Sequence, residues 1–218
     1  MKTLHMIIDG KEIQAEEGAT LLQVARKEGI SIPTLCEHHE LSPYGACRLC
    51  SVEIVKGGRT KVVASCVYPA EEGLVVNTAT PRIQKIRVII LELLLASSPK
   101  GEVEKLAAEY GADSGKFAKE LTFCILCGLC VRYCQEVKGE GALGFIGRGV
   151  ERQVVYYPHL AKESCLKCDQ KCVSLCPTCI LPNIFGLAIP AFDKTYPTVY
   201  PVRLLDENNL FNLSNTIK

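Results

Sequence analysis

The chain has 218 residues with 25 Lys+Arg against 24 Asp+Glu, so no broad basic field points to nucleic acid or a membrane surface. A hydrophobic fraction of 48% allows a core, although aromatic residues make up 6% and Trp is absent. Thirteen cysteines is the distinguishing count, and in a short secreted chain it would read as a disulfide framework. Residues 1–10, MKTLHMIIDG, carry one Lys, no long apolar stretch and an early Asp9-Gly10 turn, so no signal peptide is expected. The most apolar run, residues 88–96, is about half the length needed to span a bilayer and contains Glu92. A reducing, cytoplasmic compartment is therefore expected, where clustered cysteines bind metal more often than they pair.

In chain order, residues 3–8 and 11–14 are predicted strands joined at Asp9-Gly10, a strong hairpin signal. A one-sided helix follows, opened by Thr20 and closed by Gly29. Residues 30–34 form a loop into Cys36. Residues 51–55 and 61–65 are predicted strands around Gly57-Gly58, giving a small mixed sheet with one helix over residues 1–79. Thr80-Pro81 reads as an N-cap followed by proline at the first helical position. The helix over 82–97 is apolar enough to be expected between domains or against a partner. Residues 102–110 make a short helix stopped by Gly111, and 112–119 a third. Residues 80–117 are thus a helical connector, 118–185 the second cysteine region, and 186–218 a tail, either extended along a partner or disordered.

Cys36, Cys47, Cys50 and Cys66 are spaced C-x10-C-x2-C-x15-C, which suits a [2Fe–2S] cluster with two thiolates per iron. Gly45 would let backbone N–H groups approach the sulfides. A zinc site is the competing reading, but a zinc ribbon uses a second tight pair, and Cys36 and Cys66 stand alone. With four cysteines present, His38 and His39 are expected at the surface or in hydrogen bonds, as are His5 and His159.

Cys124, Cys127, Cys130 and Cys134 follow the bacterial [4Fe–4S] spacing C-x2-C-x2-C-x3-C; Cys165, Cys168, Cys172 and Cys176-Pro177 form a second run, C-x2-C-x3-C-x3-C-P. In two-cluster ferredoxins the fourth cysteine of each run serves the other cluster. That rule assigns Cys124, Cys127, Cys130 and Cys176 to one cluster, and Cys134, Cys165, Cys168 and Cys172 to the other. Gln135 stands where proline is usual, and 169–171 lengthen the second run by one residue. Cys179 is extra: it competes with Cys176 as a ligand, or is a small buried residue, and Pro177 favours Cys176.

The segments IPTLCEH at 32–38 and LSPYGACRLCSVE at 41–53 resemble the N-terminal ferredoxin domain of the complex I iron–sulfur subunit. The same domain occurs in the diaphorase subunits of NAD-linked hydrogenases and in iron-only hydrogenases. CILCGLCVRYCQEV at 124–137 and GFIGRG at 144–149 extend the resemblance, which covers roughly residues 1–185. It implies an α+β chain: a β-grasp [2Fe–2S] ferredoxin domain, a helical connector and a bacterial-type 2[4Fe–4S] ferredoxin domain. In the larger relatives a cluster held by one His and three Cys follows the long helix, whereas residues 96–123 here contain neither His nor Cys. The large C-terminal part of the complex I subunit is not represented, and the layout is most similar to the small diaphorase subunit of NAD-linked [NiFe] hydrogenases.

The Gly-rich stretch 138–149 lacks the G-x-G-x-x-G order and is expected as a turn region. No flavin motif or hydride-binding site is legible, so FMN and NAD(P) are expected on partner subunits only. The resemblance therefore implies an iron–sulfur electron-transfer subunit of a hetero-oligomer. It would relay single electrons between a flavin/NAD(P)H-oxidising subunit and a metalloenzyme subunit such as a hydrogenase or a formate dehydrogenase. A freely diffusing polyferredoxin and a zinc-stabilised scaffold are the alternatives.

Overall fold

The structure, a computed structural model, describes residues 3–120, 122–157, 160–161, 164–165, 167–180 and 203–204, so His159 and nearly all of the 186–218 tail lie outside the described residues. The chain divides into two compact units, Met1–Leu121 and Thr122–Lys218.

The first unit is built on a five-stranded sheet ordered β2-β1-β5-β3-β4. β1 (Thr3–Ile8) and β2 (Lys11–Glu16) form the expected hairpin, with Ile8 opposite Lys11. Asp9 and Gly10 both take left-handed φ values, 50° and 80°, the requirement of a two-residue hairpin turn. β3 (Ser51–Lys56) pairs with β4 (Arg59–Ala64) around Gly57-Gly58. β5 (Val75–Asn77) was not legible in the sequence, yet it joins the two hairpins, parallel to β1 and antiparallel to β3. Its exit is pinned to the first turn, because the Asp9 carboxylate accepts from the Thr78 backbone N–H at 2.7 Å and its hydroxyl at 2.5 Å.

The period-2 alternation buries Leu4, Met6 and Ile8 of β1, Ile13 and Ala15 of β2, and Val52 and Ile54 of β3. α1 (Leu21–Lys27) covers this apolar layer with Leu21, Leu22, Val24 and Ala25. Thr20 and Gln23 cap it reciprocally: the Thr20 hydroxyl accepts the Gln23 N–H and the Gln23 side chain accepts the Thr20 N–H.

α2 (Pro81–Ser97) begins where Thr80-Pro81 predicts, with the Thr80 hydroxyl accepting the Ile83 N–H. Ile83, Arg87, Leu91 and Leu95 recur every four residues and form its buried face, packed on β3 and on α3 (Glu102–Tyr110). The helix therefore covers its own unit, while Ile89 and Leu93 on the opposite side are exposed. The expected helix over 112–119 is absent; this segment is turns. The Asp113 carboxylate takes the Gly115 N–H at 2.8 Å, an alternative to the helical bond, and Lys116 reaches buried Glu92 at 2.7 Å.

At the end of α2, Ser98 is fully buried and its hydroxyl has no hydrogen-bond partner among the described residues. A buried hydroxyl without a partner keeps its desolvation cost. Ser98→Ala is therefore expected to stabilise the chain by about 1 kcal/mol, read as a higher urea midpoint at unchanged slope.

The second unit contains a short helix α4 (Leu129–Arg132), which runs directly into a π-helical turn at Tyr133–Val137. The stretch 138–149, expected as turns throughout, contains a strand, β6 (Leu143–Ile146), paired with β7 (Gln153–Tyr156). The turn between them needs Gly147: its φ is +69°, and a Cβ there would stand 2.4 Å from the Glu151 carbonyl oxygen. α5 (Lys171–Ser174) carries the second cysteine run, and β8 (Arg203–Leu204) adds a parallel strand to β7. Among the described residues no helix is long and apolar enough to cross a membrane.

Candidate metal centres

The first sulfur group lies on the loop before β3 and at the end of β4. Cys36, Cys50 and Cys66 are buried and Cys47 is half-buried. The Cys50 and Cys66 sulfurs are 3.3 Å apart. Backbone N–H groups turn toward this cage: Cys47 N–H donates to the Cys36 sulfur at 3.3 Å, and Leu35 N–H to the Cys47 sulfur at 3.4 Å. The bend that allows this is Arg48, held at φ 61° between Cys47 and Cys50, a left-handed conformation that costs a non-glycine residue about 1–2 kcal/mol. Gly45 is also left-handed, at φ 72°, and a Cβ there would press on Val67 at 3.2 Å.

The sulfurs act as two proton-sharing pairs. The Cys47 thiol supports a Cys36 thiolate and lowers it to about 6, with backbone N–H groups of Cys47 and Ala46 adding to the effect; Cys47 itself is pushed up. Cys66 does the same for Cys50, which falls to about 6, while Cys66 is pushed up. A metal site binds thiolates, so closing a four-thiolate site expels the protons these sulfurs still hold.

In the second unit Cys124, Cys127, Cys130 and Cys176 line one small cavity with Ile125, Gly128, Val154, Thr178 and Ile180. Burial pushes the Cys130 thiol up, followed by the sulfurs of Cys127, Cys176, Cys124 and Cys172. Cys172 is pushed up to about 12, first by burial and then by Cys134, Cys168 and Cys165. Cys176 of the second run thus shares a cavity with Cys124, Cys127 and Cys130 of the first, and Cys130 and Cys134 lie in one buried cluster with Cys165 and Cys172 against it. Left-handed bends recur here: Leu126 at φ 52°, Gly128 at 75° and Gln170 at 52° fold the backbone around the sulfurs. Gln170 N–H consequently donates to the Cys168 sulfur at 3.2 Å. Successive N–H groups aimed inward form an anion-binding concavity suited to thiolates and sulfides.

The π-turn begins at Tyr133 and carries Cys134, one turn beyond Cys130. The residues that lengthen the second run form a turn anchored from outside. Asp169 pairs with Lys138 at 2.9 Å and accepts the Tyr133 hydroxyl at 3.3 Å; the Lys138 contact, ahead of the Lys171 N–H, holds its carboxyl down at about 2. Cys179 does not line the cavity of Cys176. It is half-buried, not fully buried as expected, and left-handed at φ 55°, with its N–H donated to the Cys176 carbonyl at 3.0 Å.

Of the histidines, His5 is an exposed β1 residue. His38 is half-buried and its Nδ1 accepts the Glu40 N–H at 3.3 Å, while His39 is exposed with its ring 4.3 Å from that of His38.

Residues 1–81 match the family model of the 2Fe-2S iron-sulfur cluster binding domain, and residues 116–182 that of the ferredoxin-like domain of NADH-quinone oxidoreductase subunit 3. A chain from the crystal structure of NAD+-reducing [NiFe]-hydrogenase in the H2-reduced state superposes with a TM-score of 0.61, at 31% identity over 70% of this chain and 74% of that one. The chain belongs to this iron–sulfur family. Among curated relatives, the mitochondrial NADH-ubiquinone oxidoreductase 78 kDa subunit of Neurospora crassa is 32% identical over 202 residues, 80% of this chain and 27% of that protein. The NADH-ubiquinone oxidoreductase 75 kDa subunit of Reclinomonas americana is 32% identical over 200 residues, 80% of this chain and 28% of that protein. The chain spans little more than a quarter of the length of these two relatives.

Proposed function

We propose that the chain is an electron-relay subunit with three iron–sulfur clusters. A [2Fe–2S] cluster would be held by Cys36, Cys47, Cys50 and Cys66 in a β-grasp domain, a reading supported by the strand order β2-β1-β5-β3-β4 with α1 across it. Two [4Fe–4S] clusters would be held crosswise, one by Cys124, Cys127, Cys130 and Cys176, the other by Cys134, Cys165, Cys168 and Cys172. The observation that carries the reading is that Cys124, Cys127, Cys130 and Cys176 line one cavity, with backbone N–H groups donated to the Cys36, Cys47 and Cys168 sulfurs beside left-handed bends.

When bound, each cluster supplies a one-electron site. The protein's part is to hold the thiolates, keep water from them and aim N–H groups at sulfur, which stabilises the more negative, reduced state. The four-sulfur donor sets fit that role, and no hydride-binding motif is legible in the sequence, so two-electron chemistry falls to partners. The NADH-linked relatives support one partner that oxidises NAD(P)H, read from the resemblance as a flavin subunit, and the [NiFe]-hydrogenase neighbour supports a metalloenzyme subunit as the other; a cytoplasmic location is the expectation from the sequence.

Anoxic purification of the native protein, with iron and sulfide assays, EPR and mass spectrometry of what travels with it, tests this reading. Signals of one [2Fe–2S] and two [4Fe–4S] clusters, with a flavoprotein and a metalloenzyme co-purifying, are expected. A colourless zinc protein would overturn the redox reading; a loaded chain eluting alone would overturn the fixed-subunit reading in favour of a diffusing carrier.

A further inference from the structure

Arg87 is an anomaly in α2. It sits on the buried face of a mostly apolar helix and is 2% exposed. Among the described residues no carboxylate pairs with it: Glu92, also buried on α2, is taken by Lys116, and Glu53 by Arg82. The guanidinium instead donates to three backbone carbonyls, Nε to Leu49 at 3.1 Å and Nη2 to Ser51 at 3.0 Å and Thr78 at 2.8 Å. The centre of the Tyr110 ring lies 6.0 Å away.

A buried cation without an anion is costly, and carbonyl dipoles repay only part of that cost. The placement of the three acceptors indicates where the remainder comes from. Leu49 and Ser51 flank Cys50, so the fork grips the cysteine loop by its carbonyls on both sides of one sulfur-bearing residue. With those carbonyls turned to Arg87, the N–H groups of Leu35, Cys47 and Leu49 face sulfur, while that of Ser51 closes onto the Arg48 carbonyl. Leu49 is the case in point: its carbonyl is bound by Arg87, and its N–H points to the Cys47 sulfur. A charge-assisted bond to a peptide carbonyl also polarises that peptide and strengthens the donor at its other end, which for the Leu49 carbonyl is the Cys50 N–H.

We propose that Arg87 is the positioning residue and buried counter-cation of the [2Fe–2S] site, raising its reduction potential by fixing the loop donors and by its own charge. The inference rests on the proposed [2Fe–2S] reading. Adding one electron to a group held by Cys50 adds a negative charge beside a desolvated guanidinium, so the reduced form gains more from Arg87 than the oxidised form does. Arg48, in the same loop, also favours the charged form of Cys50, but it is exposed and its effect is reduced by solvent screening.

The test is an EPR-monitored redox titration of the loaded full chain, wild type against Arg87→Met and Arg87→Lys. Arg87→Met is expected to lower the [2Fe–2S] midpoint and leave the [4Fe–4S] midpoints in place. Arg87→Lys keeps the charge but cannot span three carbonyls, and is expected to fall between the two. An Arg87→Met chain with an intact [2Fe–2S] signal and the wild-type midpoint overturns the proposal, leaving Arg87 as a fold anchor. If Arg87→Met does not load, Arg87→Lys decides: a lowered midpoint supports the proposal and a wild-type midpoint overturns it. A wild-type protein without any [2Fe–2S] signal would instead overturn the cluster reading, a distinct result.

Discussion

Cys176→Ser is expected to abolish or convert one of the two [4Fe–4S] signals, whereas Cys179→Ser leaves both in place. The two positions lie three residues apart, and in the sequence only Pro177 favours one over the other. Their surroundings differ. Cys176 lines the same cavity as Cys124, Cys127 and Cys130, and its negative charge is among those that push the Cys130 and Cys124 thiols up. Cys179 is outside that cavity, and its backbone serves as a turn whose N–H closes onto the Cys176 carbonyl. Serine is nearly isosteric with cysteine but binds iron far more weakly than a thiolate does, because iron–sulfur clusters favour soft ligands. The effect at Cys176 is therefore a cluster's worth of iron and sulfide, measured by iron assay and EPR of each variant. Loss of a signal in Cys179→Ser alone would reverse the ligand assignment.

The features legible in the sequence are those set by near neighbours. Asp9-Gly10 dictates a turn through its own backbone preferences, Thr80-Pro81 supplies its own cap, and cysteine spacing reflects how far a few residues can bend around a metal core. Cys176 shares a cavity with Cys124, Cys127 and Cys130; the three ligand sets themselves are the proposal. Features set by distant parts of the chain were not legible. β5 has three residues, too few to show alternation, and owes its existence to β1 and β3 on either side. β6 hides among glycines, and only its pairing with β7 makes it a strand. Residues 112–119 carry helical propensity but lose to Asp113, Lys116 and the Glu120 N–H, which bonds to the Ala96 carbonyl at 3.0 Å. Arg87 reads in sequence as one polar residue on a long apolar helix, and its role is visible only once Leu49 and Ser51 lie beneath it.

Removing the metal is expected to leave the first unit folded and to dissolve the second. Among the described residues, the largest fully buried side chains, including Ile8, Leu22, Ile54, Leu74, Ile83 and Leu91, all belong to the first unit. That unit has an apolar core between sheet and helix, to which Cys50 and Cys66 are additions. The second unit's core is another kind of object. Its buried cluster consists of Cys130 and Cys134 with Val131, Ala142, Leu143, Val154, Ala161 and Val173, and Cys124, Cys165, Cys172 and Cys176 pack against it. Strip the metal, and the centre of this unit is a set of thiols whose mutual repulsion and desolvation already raise Cys130 and Cys172. The apolar side chains buried among the described residues of this unit are too few to offset its conformational entropy, so metal-binding energy here is folding energy. Hydrogen exchange by mass spectrometry, before and after anaerobic chelation, measures this directly. Amides of β6 and β7 should lose protection by on the order of a thousandfold, while those of β1, β3 and α2 retain most of theirs. Equal loss in both units would mean that the first unit also depends on its cluster to fold, and that its apolar core is too weak to stand alone.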